Sequence, residues 1–304
     1  MKIKNIKNIK KNIKKGELAI AFSGGIDSNY LINIFLNKKL KLIHINHNTN
    51  KKCIKNKYIC KKIAEINKIK IFFGEIKINK KKIKKYGFEC VARIERYKKI
   101  LEICKKKKIK MIILGHNFND YIETIIMNIF RGTNLYGINS FKYKFKMKKI
   151  VFIRPILKYN KEYIIKNVKK PKLIAIDETN NKNIYFRNII RKYLNKIIKK
   201  QNKNKIQKNI KKFIKNTKEN IKLTNELAKI DINKTKLKIK KLKNMKETRI
   251  RNILTYIIKK DNKQIPSRNW LKEITKQIKT GKHSILIKKN KFKLFVKNKK
   301  IKIK

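Results

Sequence analysis

Short apolar runs alternate, along the first half of the chain, with stretches whose apolar residues recur every three or four positions. Leu18-Ala19-Ile20-Ala21-Phe22 stops at Ser23-Gly24-Gly25, which predicts a buried strand entering a tight loop. Asn29–Leu36 then has helical spacing. Leu40–Ile45 predicts a second strand and Cys53–Ile66 a second helix. Ile69–Phe73 is a third strand, Phe88–Cys104 a helix, Met111–Gly115 a fourth strand and Asn119–Phe130 a helix. Strands alternating with helices imply a parallel sheet covered on both faces. Ligands in such sheets bind beyond the carboxyl ends of the strands. The loops after Phe22, Ile45 and Leu114 lie at that edge, and each carries polar residues.

Near residue 195 the pattern changes. Lys196–Lys229 reads as long Lys-rich helix without Gly or Pro, and helical spacing returns over Glu247–Lys260. A turn opens at Pro266-Ser267-Arg268, and another helix follows. From Ser284 onward apolar residues alternate with Lys, which predicts small strands. The expected architecture is α/β. A Rossmann-like parallel-sheet domain spans 1–200, and a smaller, mainly helical, Lys-rich domain spans 201–304. Ile3, Ile6, Ile9 and Ile13 predict a short amphipathic helix over 1–15, without the apolar core of a secretory signal. No apolar run approaches the ~18 residues of a membrane span.

Charge adds a second layer. The 304 residues carry 88 basic and 18 acidic side chains, a net +70. A polyanionic partner would explain part of this. Coding bias explains more, because Lys, Asn and Ile are abundant together. Only nine basic residues are Arg. In such a background Arg persists where a planar, bidentate fork is required, and acids persist where a carboxylate has a task. Cys53, Cys60, Cys90 and Cys104 show no paired spacing, so free thiols are expected rather than a zinc site or disulfides.

Ser23-Gly24-Gly25-Ile26-Asp27-Ser28 sits between the first strand and the first helix. Its glycines let the backbone approach an anion. Successive N–H groups form a nest that the helix N-terminus reinforces. Ser23 and Ser28 can donate to phosphate oxygens. Asp27 would repel bare phosphate, which points to a bridging Mg2+ with Asp27 as its ligand. A plain turn capped by Asp27 or Ser28 would explain a Gly-Gly pair, but not the whole hexapeptide directly after a strand.

Three further segments carry rare residues. In Glu89–Tyr97, Arg93 and Tyr97 share a helical face and Arg96 is adjacent. In Gly115–Thr124, His116 leaves a strand end, and Asp120 and Glu123 share a face of the next helix. Two carboxylates there suit amine binding, proton removal or metal binding. N-capping by Asn119 or Asp120 would account for one of them. The third segment holds Asp177-Glu178-Thr179-Asn180 and Tyr185–Arg191, where Arg187 and Arg191 are four apart. Paired Arg in this chain favours bidentate contact with phosphate or carboxylate.

The hexapeptide resembles the SGGxDS loop of the PP-loop ATP pyrophosphatases, whose fold is adenine nucleotide α-hydrolase-like. The segments in order resemble the tRNA(Ile)-lysidine synthetase family. They are SGGxDS, H-x-N-H (His44, Asn46, His47), ExxARxxRY, GHxxxDxxET with RGT (His116, Asp120, Glu123, Arg131), Arg154-Pro155, and D-x-T-N with YxRNxIR. The match is dense over 18–195 and thinner beyond, through Thr248–Leu254 and Pro266–Arg268. It implies a short form without the family's last C-terminal domain. Asn117 and Asn119 stand where many members have His and Asp, Glu178 replaces a Pro, and Asn48 replaces a Gly. No chemistry is assigned to Asn117 or Asn119.

The resemblance implies a ligase that uses ATP and Mg2+ to adenylate the wobble cytidine of tRNA(Ile) with a CAU anticodon. Free lysine then displaces AMP to give lysidine. Ser23, Gly24, Gly25, Ile26, Asp27 and Ser28 would hold the phosphates. Arg93 and Arg187 would offset phosphate charge, Asp120 and Glu123 would position and deprotonate lysine, and His116 would lie beside the nucleotide. The C-terminal domain would grip tRNA. A cytoplasmic protein without membrane attachment is expected, and its assembly is left open, a homodimer included. The alternatives are another PP-loop tRNA-modifying enzyme of the thiolase type, a small-molecule ligase, and a non-catalytic basic RNA-binding protein.

Overall fold

The structure is a computed structural model that describes residues 17–36, 40–46, 52–168, 173–175, 186–200, 203–260, 268–280, 287–289, 292–297 and 300–303. The expected helix over 1–15 lies outside these residues, as do His47, Asn48, Asp177, Glu178, Thr179, Asn180, Tyr185, Pro266 and Ser267. Two compact units form. One holds the described residues up to Thr124 together with Phe141–Tyr193; the other holds Ile125–Ser140 and the described residues from Leu194 onward.

The elements are, in chain order, β1 (Leu18–Ala21), α1 (Ile26–Phe35), β2 (Lys41–Asn46), α2 (Lys52–Ile66), β3 (Lys70–Glu75), α3 (Lys80–Tyr86), α4 (Phe88–Lys106) and β4 (Met111–Leu114). Next come α5 (Phe118–Phe130), α6 (Leu135–Ile138), β5 (Lys144–Met147), β6 (Ile150–Ile153), α7 (Lys161–Asn167) and α8 (Phe186–Lys200). The sheet order is β3-β2-β1-β4-β6-β5. β1 pairs in parallel with β2 on one side and with β4 on the other. The order therefore reverses at β1, and a crevice opens beyond the ends of β1 and β4, where α/β sheets bind ligands.

Alternation along the central strands builds two apolar layers. Leu18, Ile20 and Ile113 face a layer made with Leu31, Phe35, Cys60, Ile63 and Ile164. Ala19 and Ile112 face the opposite layer, made with Tyr97, Ile100, Ile103 and Phe152. The expected parallel strands carry one antiparallel addition at the sheet edge. β5 runs antiparallel to β6. Only Lys148 and Lys149 join them, with Lys148 at φ 51°. So short a connection permits only an antiparallel pair. The Lys-Lys pair lacks the Asn-Gly or Asp-Gly signature that marks such turns in sequence.

In the second unit α9 (Lys203–Thr235), α10 (Ile239–Lys243), α11 (Glu247–Lys260) and α12 (Arg268–Thr280) precede the strands β7 (Ile287–Lys289), β8 (Phe292–Lys297) and β9 (Lys300–Ile303). The strands form an antiparallel sheet in the order β7-β8-β9. The expected helix over Lys196–Lys229 falls in α8 and α9, on either side of residues 201 and 202. Ile250, Ile253, Leu254 and Ile258 of α11 pack on Trp270, Leu271, Ile274 and Ile278 of α12. Buried Asp231 of α9 accepts from Arg249 Nε at 3.0 Å. The Ile125–Ser140 stretch joins this unit through the Tyr136 hydroxyl, which donates to Asn225, and through Lys259, 3.9 Å from the Tyr136 ring centre.

Ile274 is fully buried in the second core. Ile274→Ala should cost about 2–5 kcal/mol, read as a lower urea midpoint through Trp270, the chain's only tryptophan.

Candidate active site

β1 delivers the chain into the loop at Ser23, and several contacts shape that loop from behind. Gly24 has φ +80°, which favours Gly. A Cβ there would lie 2.7 Å from Ala175 Cβ and 2.9 Å from Cys60 Sγ, so space imposes the same residue. The Gly24 carbonyl accepts from Ala175 N–H at 3.1 Å and from Asn29 Nδ2 at 2.8 Å. Ser28 Oγ donates to the Gly25 carbonyl at 2.9 Å. These carbonyls are turned inward. Helix α1 begins at Ile26, so the N–H groups of Ile26, Asp27 and Ser28 have no carbonyl one turn earlier. Unpaired donors at a helix N-terminus are what an anion site requires.

His44 contributes from below. It is buried, and its Nδ1 donates to the Phe22 carbonyl at 2.9 Å, fixing the strand end that feeds the loop. Burial holds this imidazole below its ordinary value, so it stays neutral, and the Lys57 charge acts the same way.

The second wall comes from β4 and α5. Asn117 Oδ1 accepts from Asp120 N–H at 3.1 Å, while Asp120 Oδ2 accepts from Asn117 N–H at 2.9 Å. This is a reciprocal cap, with Asn117 in the capping position and Asp120 three residues on. The sequence reading placed the cap at Asn119 or Asp120. Asn117 Nδ2 also donates to Asp27 Oδ1 at 3.2 Å, so Asn117 bonds one carboxylate through its side chain and the other through its backbone N–H. Asn119 Oδ1 accepts from Lys161 N–H at 3.1 Å, and Lys161 Nζ lies 2.6 Å from Asp27 Oδ2.

Glu123 lies one turn further along α5 and is 3% exposed. Arg187 Nε donates to its Oε2 at 2.8 Å. Arg191 Nε donates to Oε1 at 2.7 Å, and Arg191 Nη2 to Oε2 at 3.1 Å. Both guanidinium groups reach toward Asp120 Oδ1, at 3.5 and 3.8 Å. Burial pushes the Asp120 carboxyl above the usual carboxylate range. The neighbouring Glu123 and Asp27 charges add to this, while Arg187 and the Asn117 N–H oppose it.

His116 occupies the far end. Arg154, itself buried, donates Nε–H to His116 Nδ1 at 3.1 Å. That leaves the imidazole proton on Nε2. The Arg154 guanidinium lies 4.2 and 4.6 Å from the ring centres of Phe141 and Phe145. Burial holds His116 well below its ordinary value, helped by the charges of Arg154, Arg96, Arg93 and Arg187. His116 is therefore a neutral donor ringed by guanidinium groups. Arg93 is exposed, 5.8 Å from the Tyr97 ring centre.

Ser23 to Ser28, Arg93, His116, Asp120, Glu123 and Arg187 thus belong to one unit, and hydrogen bonds and ion pairs link Asp27, Asp120, Glu123 and Arg187 through Asn117 and the arginines. Arg131 lies in the other unit. The sequence reading missed Lys161 and the bridging role of Asn117, and it named Arg154 within the family resemblance without giving it a role. Lys161 gave no signal of its own as one of 79 lysines. Among the described residues no group of three or more His, Cys, Asp or Glu could form a metal cage. One Asp beside an anion-binding loop nevertheless fits Mg2+, which keeps most of its ligands as waters and phosphate oxygens.

Comparison with known proteins agrees with this geometry. The family model for the PP-loop domain matches residues 1–199. A tRNA(Ile)-lysidine synthase of Buchnera aphidicola subsp. Baizongia pistaciae is 35% identical over 207 residues, which are 65% of this chain and 46% of that protein. One from Pseudothermotoga lettingae is 35% identical over 183 residues, 58% of this chain and 40% of that protein. The chain thus spans less than half the length of these relatives. Among solved structures, a U34-tRNA thiolase from Methanococcus maripaludis with its [4Fe-4S] cluster superposes with a TM-score of 0.55 at 16% identity. The match covers 70% of this chain and 78% of that one. It reports on fold alone.

Two measurements test the electrostatics. Glu123→Ala leaves two clustered guanidinium groups without their shared carboxylate and should cost about 3 kcal/mol of stability. Asp120→Asn, which keeps an acceptor for the cap, should cost less than about 1 kcal/mol. Urea midpoints separate them. The unfolded chain takes up a proton at His116 below pH 6.5 that the folded chain refuses. Stability should therefore fall as pH drops from about 6.5 to 5.5, and His116→Gln should flatten that slope.

Proposed function

The chain belongs to the PP-loop family, and from that premise we propose that it is a ligase that makes lysidine in tRNA(Ile). The observation that carries the proposal is Asn117, which donates to Asp27 of the phosphate loop through its side chain and to the Asp120 carboxylate through its backbone N–H. It sets an anion site and an acid side by side in one crevice, as a reaction joining adenylation to amine attack requires. The identity with the two synthases supports the same reading.

In the proposed reaction ATP adenylates the C2 carbonyl oxygen of the wobble cytidine in the CAU anticodon, releasing pyrophosphate. The ε-amine of free lysine then bonds to C2, and the oxygen leaves with AMP. The N–H groups of Ile26, Asp27 and Ser28 and the hydroxyls of Ser23 and Ser28 would bind the β,γ-phosphates. Asp27 would hold Mg2+, which when bound neutralises phosphate charge. Arg93, Arg96 and Arg187 would offset charge as it develops during transfer. His116 would donate from Nε2 to an oxygen of the nucleotide.

The roles of the two acids separate. Glu123 is committed to Arg187 and Arg191, so it would hold those arginines rather than take a proton. Asp120 keeps Oδ1 outside the cap and would meet the lysine amine. Its raised pKa makes it the better base. The thiolase reading gains no support from Cys60 or Cys104, whose thiols burial pushes up to about 12.

The Lys-rich C-terminal domain, residues 201–304, would neutralise tRNA phosphates without reading sequence. The proposed setting is the cytoplasm, and a homodimer would be compatible with the reaction. Among the described residues no helix is long and apolar enough to cross a membrane.

Incubation with ATP, radiolabelled lysine and a tRNA(Ile) transcript should put label into RNA. Asp27→Ala should abolish incorporation and leave tRNA retention on filters unchanged. A folded wild-type chain that binds tRNA yet transfers no lysine would refute the proposal. Retention should also fall steeply as salt rises from 50 to 200 mM, by about 10³-fold or more if six or more phosphates are contacted.

A further inference from the structure

Asp27 presents an electrostatic problem. A carboxylate at the mouth of a polyanion site repels the ligand that the site is shaped to bind. Here both of its oxygens are engaged. Oδ1 accepts from Asn117 Nδ2, and Oδ2 lies 2.6 Å from Lys161 Nζ. Among the described residues Lys161 is the one cation in an ion pair with Asp27. The arginines gather instead around Glu123, Asp120 and His116.

The base of Lys161 is fixed. Its N–H donates to Asn119 Oδ1 at 3.1 Å, and the Asn160 side chain caps α7 by accepting from Tyr163 N–H at 2.8 Å. The Tyr159 carbonyl accepts from Phe118 N–H at 2.8 Å. Ile164, on the next turn, is fully buried in the core. The ammonium is not fixed in the same way. It sits on a flexible four-carbon stem, and its side chain is 37% exposed.

We propose that Lys161 is a nucleotide-binding residue with two stations. In the empty protein its ammonium neutralises Asp27. When ATP enters with its metal, Lys161 leaves the carboxylate oxygen to the metal and moves onto a β- or γ-phosphate oxygen. Metal and ammonium would compete for the same carboxylate oxygen, and the incoming phosphates offer the ammonium a denser negative charge, so electrostatics favours the exchange. The stem reaches from a fixed Cα, so the ammonium stays within the site. This inference rests on the ATP reading of the loop.

The exchange predicts opposite changes in two affinities, which loss of a merely structural lysine would not produce. In Lys161→Met, binding of Mn2+ alone should tighten several-fold, because the competing ammonium is gone. Binding of ATP with Mn2+ should weaken about tenfold or more, as loss of a charged hydrogen bond implies. Lys161→Arg should restore part of the nucleotide affinity. Titration calorimetry reads the nucleotide and electron paramagnetic resonance reads free Mn2+, with tRNA retention as the check on folding. A Met variant that binds ATP as the wild type does, or binds Mn2+ alone no more tightly, overturns the proposal and leaves the ATP reading standing. A folded wild-type chain that binds no ATP overturns both.

Discussion

The geometry of the crevice depends on the double pairing of β1. Ala21 is in register with Ile43 on one side and with Leu114 on the other. Parallel pairing on both sides puts the ends of these strands at one level and the chain reversals at the opposite edge. The loop after β1 and the loop after β4 therefore start side by side. Remote parts of the sequence need no further device to meet there. Asn117 bonds Asp27 across 90 positions because its strand ends where that of Asp27 ends. The flanking helices contribute the apolar layers that hold β1 and β4 flat against each other.

On that frame the acids of the site are matched one by one. Asp27 has Lys161 and Asn117, Asp120 has its own cap, and Glu123 has Arg187 and Arg191. Burying a carboxylate without partners is costly. Glu123 can be almost wholly buried because two guanidinium forks meet both of its oxygens. Arrangement by partner also divides the labour. Glu123, with hydrogen bonds to both oxygens, serves as scaffold, while Asp120 Oδ1, which the arginines meet only at 3.5 and 3.8 Å, is the more loosely held oxygen. The surrounding Lys surplus takes no part in this selection, since its charge is mostly solvated.

Much of this was legible from residues. The strands β1 to β4 and the helices α1, α2 and α4 followed from apolar spacing, and the hexapeptide gave the position of the phosphate loop. Rarity made Arg187, Arg191, Asp120 and Glu123 visible against the Lys background. The pairing of Glu123 was not visible, because spacing within a helix says which side chains share a face and not which distant helix they meet. Asn117 was set aside because an amide where relatives often have His looks like loss. The structure gives it three polar contacts. Lys161 was hidden by composition, since a residue type that fills every exposed position carries no information at any one of them. The β5–β6 hairpin escaped because Lys148 and Lys149 make a turn that residues of other types usually make.

The helix α9 has a consequence of another kind. Its 33 residues rise about 50 Å. Lys205, Lys208, Lys211, Lys212, Lys215, Lys218, Lys222, Lys229 and Lys234 are exposed along it. A rod studded in this way would offer the proposed tRNA several placements of similar energy, interrupted where Glu219 and Glu226 pair with Lys215 and Lys222. Motion along it would then resemble one-dimensional sliding over a corrugated potential. The stopping point must be supplied by groups that distinguish one base from the next.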